Sequence, residues 1–195
     1  MKEESGQNGY RLVLFSTLFY FGLAGVSFLF TKIFDLQVFA FSDFPGSYSV
    51  IDLVQIGVVG GVVLFLLTLS FENFFASSRS IRVSLSKNFG GRSYVVLTYL
   101  GVLSGIVEEI LFRGIIQPYL GLCGTALLFS ALHVGPKGLF STWTVSALLF
   151  GLVLGYQYRV TGSVWPSMIS HCLVNVALFL RMRLVIKEKL NTSAM

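Results

Sequence analysis

The sequence predicts an all-α protein: a polytopic integral membrane helical bundle with about six transmembrane helices around a central polar cavity. The first observation is the composition, because 54% of the 195 residues are hydrophobic and 12% are charged, with a mean hydropathy of +0.79. Soluble domains carry about 25% charged residues. The second is that the apolar residues form separate blocks of about 20 residues, the length of a spanning helix, without the alternation typical of barrel strands.

The apolar blocks predict six spans within a single transmembrane domain, residues 1–195. They cover approximately residues 11–34, 50–70, 93–120, 123–134, 139–159 and 163–185. The first is too long for the apolar region of a signal peptide, so we expect it to be retained. The fourth would cover only about 18 Å of a hydrocarbon core of about 30 Å. We therefore expect neighbouring helices to shelter it beside an internal cavity, after a turn in the stretch GLCG at residues 121–124.

Pairs of glycines four residues apart occur in three of these spans. They are Gly57 and Gly61, Gly101 and Gly105, and Gly151 and Gly155. Small residues at this spacing allow helices to approach closely. We expect them to serve packing within the chain rather than dimerisation.

The connector FENFFASSRSIRVSLSKNFGGRS, residues 71–93, mixes basic and apolar residues. Two interpretations stay open at this point. The segment could lie in the membrane interface as an amphipathic helix, or it could form a soluble loop.

The net charge of +5 reflects basic residues at the ends of apolar blocks rather than a soluble basic surface, which argues against a nucleic-acid partner. Of the 14 Lys and Arg residues, only Lys32, Arg113 and Arg159 fall on the side opposite the N-terminus. The positive-inside rule then predicts that both termini are cytoplasmic. Because the chain is short and has no eukaryotic-style loops, we expect a bacterial inner (plasma) membrane protein. Its two cysteines have no metal-type spacing and indicate no disulfide framework.

A small set of polar groups lies inside the predicted spans. It comprises Glu108, Glu109, Arg113, His133, His171 and Asn175. Because a charge at the bilayer centre costs about 2.5 to 3.5 kcal/mol even on the lenient insertion scale, such residues indicate a functional site. A structural hydrogen-bond network is the alternative.

Helical spacing predicts different surroundings for the first three of these residues. Glu109 and Arg113 are four apart on one helix face and are predicted to form an ion pair that serves as structural support. Glu108 points about 100° away and is expected to face a cavity.

Depth along the helices brings the remaining groups together. Counted along each helix from its predicted turn, Glu108 lies at about 19 Å, His133 and His171 at about 14 Å, and Asn175 at about 20 Å. Two sites are chemically sensible. In one, Glu108 is the general base on a water with one histidine, while the other histidine and Asn175 stabilise an oxyanion. In the other, Glu108, His133 and His171 hold Zn²⁺ with an open position for water.

Three motifs can now be read in order: EEILFR as E-E-x-x-x-R, FSALH as F-x-x-x-H, and HCLVN as H-x-x-x-N. Together they resemble those of the CAAX-protease and bacteriocin-processing (Abi) family of intramembrane proteases, over residues 93–180, which we take as the catalytic core. The resemblance implies a glutamate-type endopeptidase in which Glu108 and His133 activate water and His171 and Asn175 form the oxyanion hole. Phe129 occupies the aromatic position, where packing is its expected role.

The sequence therefore predicts an intramembrane protease, a hydrolase acting in peptide maturation on a protein or peptide at the lipid membrane, including lipid-modified or membrane-anchored ones. No cofactor is favoured, and Zn²⁺ is the alternative. The rival function is a non-catalytic membrane immunity or assembly factor of the same fold. A transporter or proton relay is a third interpretation, although no inverted repeat supports it.

Overall fold

The computed structural model describes residues 2–39, 48–89, 91–135, 138 and 140–192. Within these ranges the secondary structure is helical, apart from one isolated bridge between Gly135 and Gly138. The helices are α1 (Lys2–Ile33), α2 (Val50–Phe74), α3 (Ala76–Phe89), α4 (Tyr94–Glu109), a π-helical segment (Ile110–Ile116), α5 (Gln117–Leu132), α6 (Thr142–Thr161) and α7 (Val164–Thr192). The predicted all-α class is confirmed.

Large apolar side chains cover the outside of the bundle, and the protein is an integral membrane protein. Phe15, Phe19, Val59 and Leu66 are among many that are exposed. Helix α1 contributes few buried residues, which is typical of a helix that faces lipid along most of its length.

In the part of the chain that the structure describes, four helical stretches are long and apolar enough to cross a membrane. They are Val13–Ile33, Val50–Phe74, Tyr94–Leu132 and Val164–Val185. The predicted third and fourth spans are the two parts of Tyr94–Leu132, and the predicted fifth corresponds to α6. The number of six spans thus stays a prediction.

The 39-residue stretch Tyr94–Leu132 folds back on itself at Gly121. This residue has φ 67° and ψ −179°, a conformation that is essentially restricted to glycine. In a straight helix Glu108 and His133 would be separated by about 37 Å. Their side chains instead approach to 3.7 Å, so the chain reverses between them. The predicted turn at residues 121–124 is confirmed.

Helix α7 packs against α2, α3, α4 and α6, and the glycine pairs allow two of these contacts. A methyl group built on Gly105 would lie 2.8 Å from the backbone nitrogen of Cys172, and one on Gly57 would lie 2.7 Å from Cβ of Ile169. The predicted use of these glycines for packing within the chain is confirmed.

The connector between α2 and α4 contains helix α3, so the loop interpretation is wrong. Phe89 of α3 contacts the ring of Phe179 on α7, with 5.2 Å between centroids, and Ser77 contacts Thr142 at the start of α6. Helix α3 therefore packs on the bundle rather than standing away from it. Its predicted position in the membrane interface stays a prediction.

Candidate active site

Glu108 lies in the last turn of α4, and its side chain lines an open cavity of about 360 Å³. Its side chain is mostly buried, with 10% exposed. The hydroxyl of Tyr20 on α1 donates a hydrogen bond of 2.7 Å to Oε1 of Glu108. The other oxygen, Oε2, lies 3.7 Å from Nε2 of His133 and 3.9 Å from Nε2 of His171. One carboxylate oxygen is thus held by Tyr20 and the other faces two imidazoles.

His133 follows the last residue of α5, one position outside the helix. Its Nδ1 lies 2.8 Å from the carbonyl oxygen of Phe129, and its ring stacks on the Phe129 ring with 4.3 Å between centroids. A carbonyl oxygen only accepts hydrogen bonds, so Nδ1 must carry the proton. In the neutral ring, Nε2 is therefore an acceptor directed toward Glu108.

His171 on α7 is held by the second glutamate. Its Nδ1 lies 2.7 Å from Oε1 of Glu109, and the same oxygen accepts a 3.0 Å hydrogen bond from Nη1 of Arg113. The side chains of Glu109 and Arg113 are fully buried. Arg113 also donates to the carbonyl oxygen of Gly151 on α6 at 3.1 Å. The predicted ion pair is present, and it touches the site directly through His171.

Asn175 lies one turn beyond His171 on α7 and lines the same cavity. Its Nδ2 donates a hydrogen bond of 3.0 Å to Oγ of Ser104 on α4. The Ser104 hydroxyl in turn donates to the carbonyl oxygen of Gly101 at 3.2 Å. This chain of hydrogen bonds orients the amide.

Phe129 packs at the centre of the site. Its ring lies 4.9 Å from that of Phe112 and 6.0 Å from that of His171, centroid to centroid, and the Arg113 guanidinium lies 5.2 Å from its centre. These contacts agree with a packing role. They also place an aromatic face against the cation.

Two features of the fold bring these groups together. The reversal at Gly121 returns Phe129 and His133 to the level of Glu108. The close approach of α4 and α7 at Gly105 brings His171 next to Glu108 and Glu109. All the predicted site residues are therefore within one constellation.

Tyr20 and Ser104 were not among the predicted site residues. Both are polar groups within spans that are neutral at pH 7, whereas the prediction from the sequence rested on acidic, basic and histidine residues. Tyr20 did carry a signal: it lies well inside the stretch Val13–Ile33, whereas tyrosines of membrane helices concentrate at the interfaces.

The alternative Zn²⁺ site would use Glu108, His133 and His171. Among the residues that the structure describes, no group of three or more His, Cys, Asp or Glu side chains is arranged to hold a metal ion. Metal analysis of the purified protein distinguishes the two mechanisms.

The catalytic motifs fall inside a segment that matches a known family. Residues 90–177 match the family model described as type II CAAX prenyl endopeptidase Rce1-like. We call residues 90–177 the Rce1-like segment, after the family model that they match. The match confirms the resemblance to the CAAX-protease and bacteriocin-processing family and indicates a protease. The Rce1-like segment contains the site from Ser104 to Asn175, whereas Tyr20 lies outside it.

The chain is also similar to the uncharacterized protein YpbD of Bacillus subtilis (strain 168). The two are 27% identical over 134 residues, which is 67% of this chain and 69% of that relative. No solved structure matches the chain.

Proposed function

We propose that this protein is an intramembrane endopeptidase that hydrolyses a peptide bond of a membrane-associated protein or peptide. The observation that carries the proposal is the placement of Oε2 of Glu108 at 3.7 and 3.9 Å from Nε2 of the two histidines. These distances are too long for direct hydrogen bonds and suit a water molecule between the groups. A carboxylate and imidazoles around one water form a site for hydrolysis.

Glu108 acts as the general base with His133. The hydrogen bond from Tyr20 holds one oxygen of Glu108, so the other is directed at the water. Glu108 takes a proton from the water, and Nε2 of His133 accepts a hydrogen bond that orients it. The water oxygen attacks the carbonyl carbon of the substrate. When the C–N bond breaks, Glu108 returns the proton to the leaving amine.

His171 and Asn175 stabilise the oxyanion that forms during the attack. Since Nδ1 of His171 is bonded to Glu109, donation from Nε2 requires a ring protonated on both nitrogens. Asn175 has two amide hydrogens and uses one on Ser104, so the second can reach an oxyanion.

The family description supports a substrate at the membrane, including a lipid-modified one, because the matching model is that of a CAAX prenyl endopeptidase. The charge distribution supports a cytoplasmic position for both termini. The similarity to a Bacillus subtilis protein supports a bacterial plasma membrane. In the proposed mechanism no metal is required. Stoichiometric zinc in the purified protein together with chelator-sensitive cleavage would replace it with the Zn²⁺ mechanism.

The test compares Glu108→Gln with a matched carboxylate-to-amide control. Asp35 is exposed after α1 with φ 49°, a conformation that Asn also tolerates, so Asp35→Asn is expected to behave as wild type. We expect Glu108→Gln to insert and fold but to lose at least about 100-fold of its cleavage rate, since general-base catalysis contributes at least that much. Suitable readouts are an internally quenched prenylated peptide and mass spectrometry of new peptide termini in membranes.

The non-catalytic alternative makes a different prediction. If Glu108→Gln restores the phenotype of a deletion strain as well as wild type does, the protein acts as an immunity or assembly factor. Wild-type cleavage by the variant would instead refute the role of Glu108 while leaving proteolysis intact.

A further inference from the structure

The active-site cavity extends to a second charged cluster that the proposed mechanism does not use. There, Oε2 of Glu72 lies 3.0 Å from Nε of Arg82 and 2.7 Å from Nη1 of Arg181. The three residues come from α2, α3 and α7, and all three line the cavity together with Glu108. Both arginines lie outside the Rce1-like segment, so this cluster is a feature that the family match does not describe.

The cluster carries more positive than negative charge. Two guanidiniums share one carboxylate, which leaves one positive charge in excess on a cavity wall. Each arginine side chain is partly exposed, 19% for Arg82 and 31% for Arg181, whereas the Glu72 side chain is 7% exposed. A guanidinium has five N–H donors in a fork that matches a carboxylate. The pair can therefore accept a further anion without losing Glu72.

The lining of the cavity is otherwise largely apolar. Its side chains include Phe71, Ile81, Leu85, Phe179 and Met182. A ligand that fills this space would bury apolar side chains along the wall and place an anionic group at the arginines. An extended peptide segment with a carboxylate has both properties.

The positions of His171 and Arg181 on α7 give the distance between the catalytic groups and the arginines. Arg181 is ten residues beyond His171 on the same helix, which corresponds to about 15 Å along the axis. An extended chain rises about 3.3 Å per residue. The distance between the reacting carbonyl and the arginines thus corresponds to about four residues of an extended substrate.

We propose that Arg82 and Arg181 form an anion subsite that binds a carboxylate of the peptide substrate about four residues from the scissile bond. The carboxylate is that of an acidic side chain or of the chain terminus. This inference rests on the proposed endopeptidase function, and it adds that the preferred substrate segment is apolar with a single negative charge.

The test measures binding separately from cleavage. Fluorescent apolar octapeptides are added to the full-length protein in detergent and their dissociation constants are measured by anisotropy at low temperature. One series has an amidated terminus and a single Glu moved along the chain, with Gln at the same position as its control. The other has no Glu and either a free or an amidated terminus. The two series distinguish the two sources of the carboxylate.

Two variants change the charge in opposite directions. Arg181→Gln keeps Glu72 neutralised by Arg82, so we expect it to fold. Glu72→Gln leaves both guanidiniums free of their carboxylate. Arg159 is exposed on α6 and does not line the cavity, so Arg159→Gln is the matched control.

We expect wild type to bind the better carboxylate peptide about fivefold more tightly than its neutral control, as for a partly exposed ion pair. Arg181→Gln should abolish this preference, Glu72→Gln should increase it, and Arg159→Gln should leave it unchanged. Where a peptide is cleaved, the cut should lie about four residues from the carboxylate.

Equal binding of charged and neutral peptides by wild type would overturn the inference, even if the peptides are cleaved. A preference that survives in Arg181→Gln would also overturn it. The inference would also be overturned if Arg181→Gln loses binding of phosphatidylglycerol micelles but keeps the peptide preference, because the arginines would then bind lipid headgroups. A carboxylate preference in a protein that cleaves none of these peptides when warmed would uphold the subsite and count against the endopeptidase function.

Discussion

Replacing Glu109 by Gln is predicted to destabilise the protein strongly. Glu109 accepts a 3.0 Å hydrogen bond from Arg113 and lies 2.7 Å from Nδ1 of His171, and its side chain is fully buried, as is that of Arg113. The substitution keeps the shape of the side chain but leaves the Arg113 guanidinium as a buried charge without its carboxylate. Breaking a buried pair in this way costs about 3 to 5 kcal/mol.

For a chain of this size, 1 kcal/mol changes the melting temperature by about 2 to 4 °C. We therefore expect Glu109→Gln to melt roughly 6 to 20 °C below wild type. Thermal unfolding in detergent, followed by far-ultraviolet circular dichroism and by the loss of monodisperse protein, measures this change. The Asp35→Asn protein serves as the control.

The double variant Glu109→Gln/Arg113→Met separates the charge from the packing. Because it removes both charges from the buried site, much of the lost stability should return. A Glu109→Gln protein that melts with wild type would refute the reasoning. So would a double variant no more stable than the single one, since the loss would then not come from the unpaired guanidinium.

Three further changes test the geometry of the site. Gly105→Ala should lower the free energy of unfolding by about 1 to 3 kcal/mol, because its methyl group would meet the α7 backbone. Gly22→Ala is the control: a methyl group there has nothing within 4 Å, so the variant should be neutral or slightly stabilising in the same melting assay. Gly121→Ala should cost about 1 to 3 kcal/mol and reduce cleavage, since the turn that returns α5 toward Glu108 requires a glycine conformation; full activity and stability would argue against that turn. Tyr20→Phe should keep the fold and lower the cleavage rate more than the affinity for a peptide; an unchanged rate would show that the hydrogen bond to Glu108 is not used.

The helical membrane class and most of the site were predictable from local patterns. Composition and block length report burial in lipid directly, and the spacing of Glu109 and Arg113 fixes a shared helix face whatever the neighbouring helices are. The glycines in GLCG indicated the reversal that aligns His133 with Glu108. Depth along three helices was then enough to place the polar groups at one level.

What the sequence by itself determined, then, is the class of fold, the turn and the set of residues whose burial requires partners. Only the tertiary structure decided which partners they have. It shows that Glu109 contacts His171 as well as Arg113, that Tyr20 reaches Glu108 from α1, and that a cavity joins Glu108 to a cluster of arginines. The physical reason is that depth and helix face are set within one helix, whereas contact depends on which helices lie side by side and at what rotation. Those are set by the packing of the whole bundle, including small residues such as Gly105 against α7.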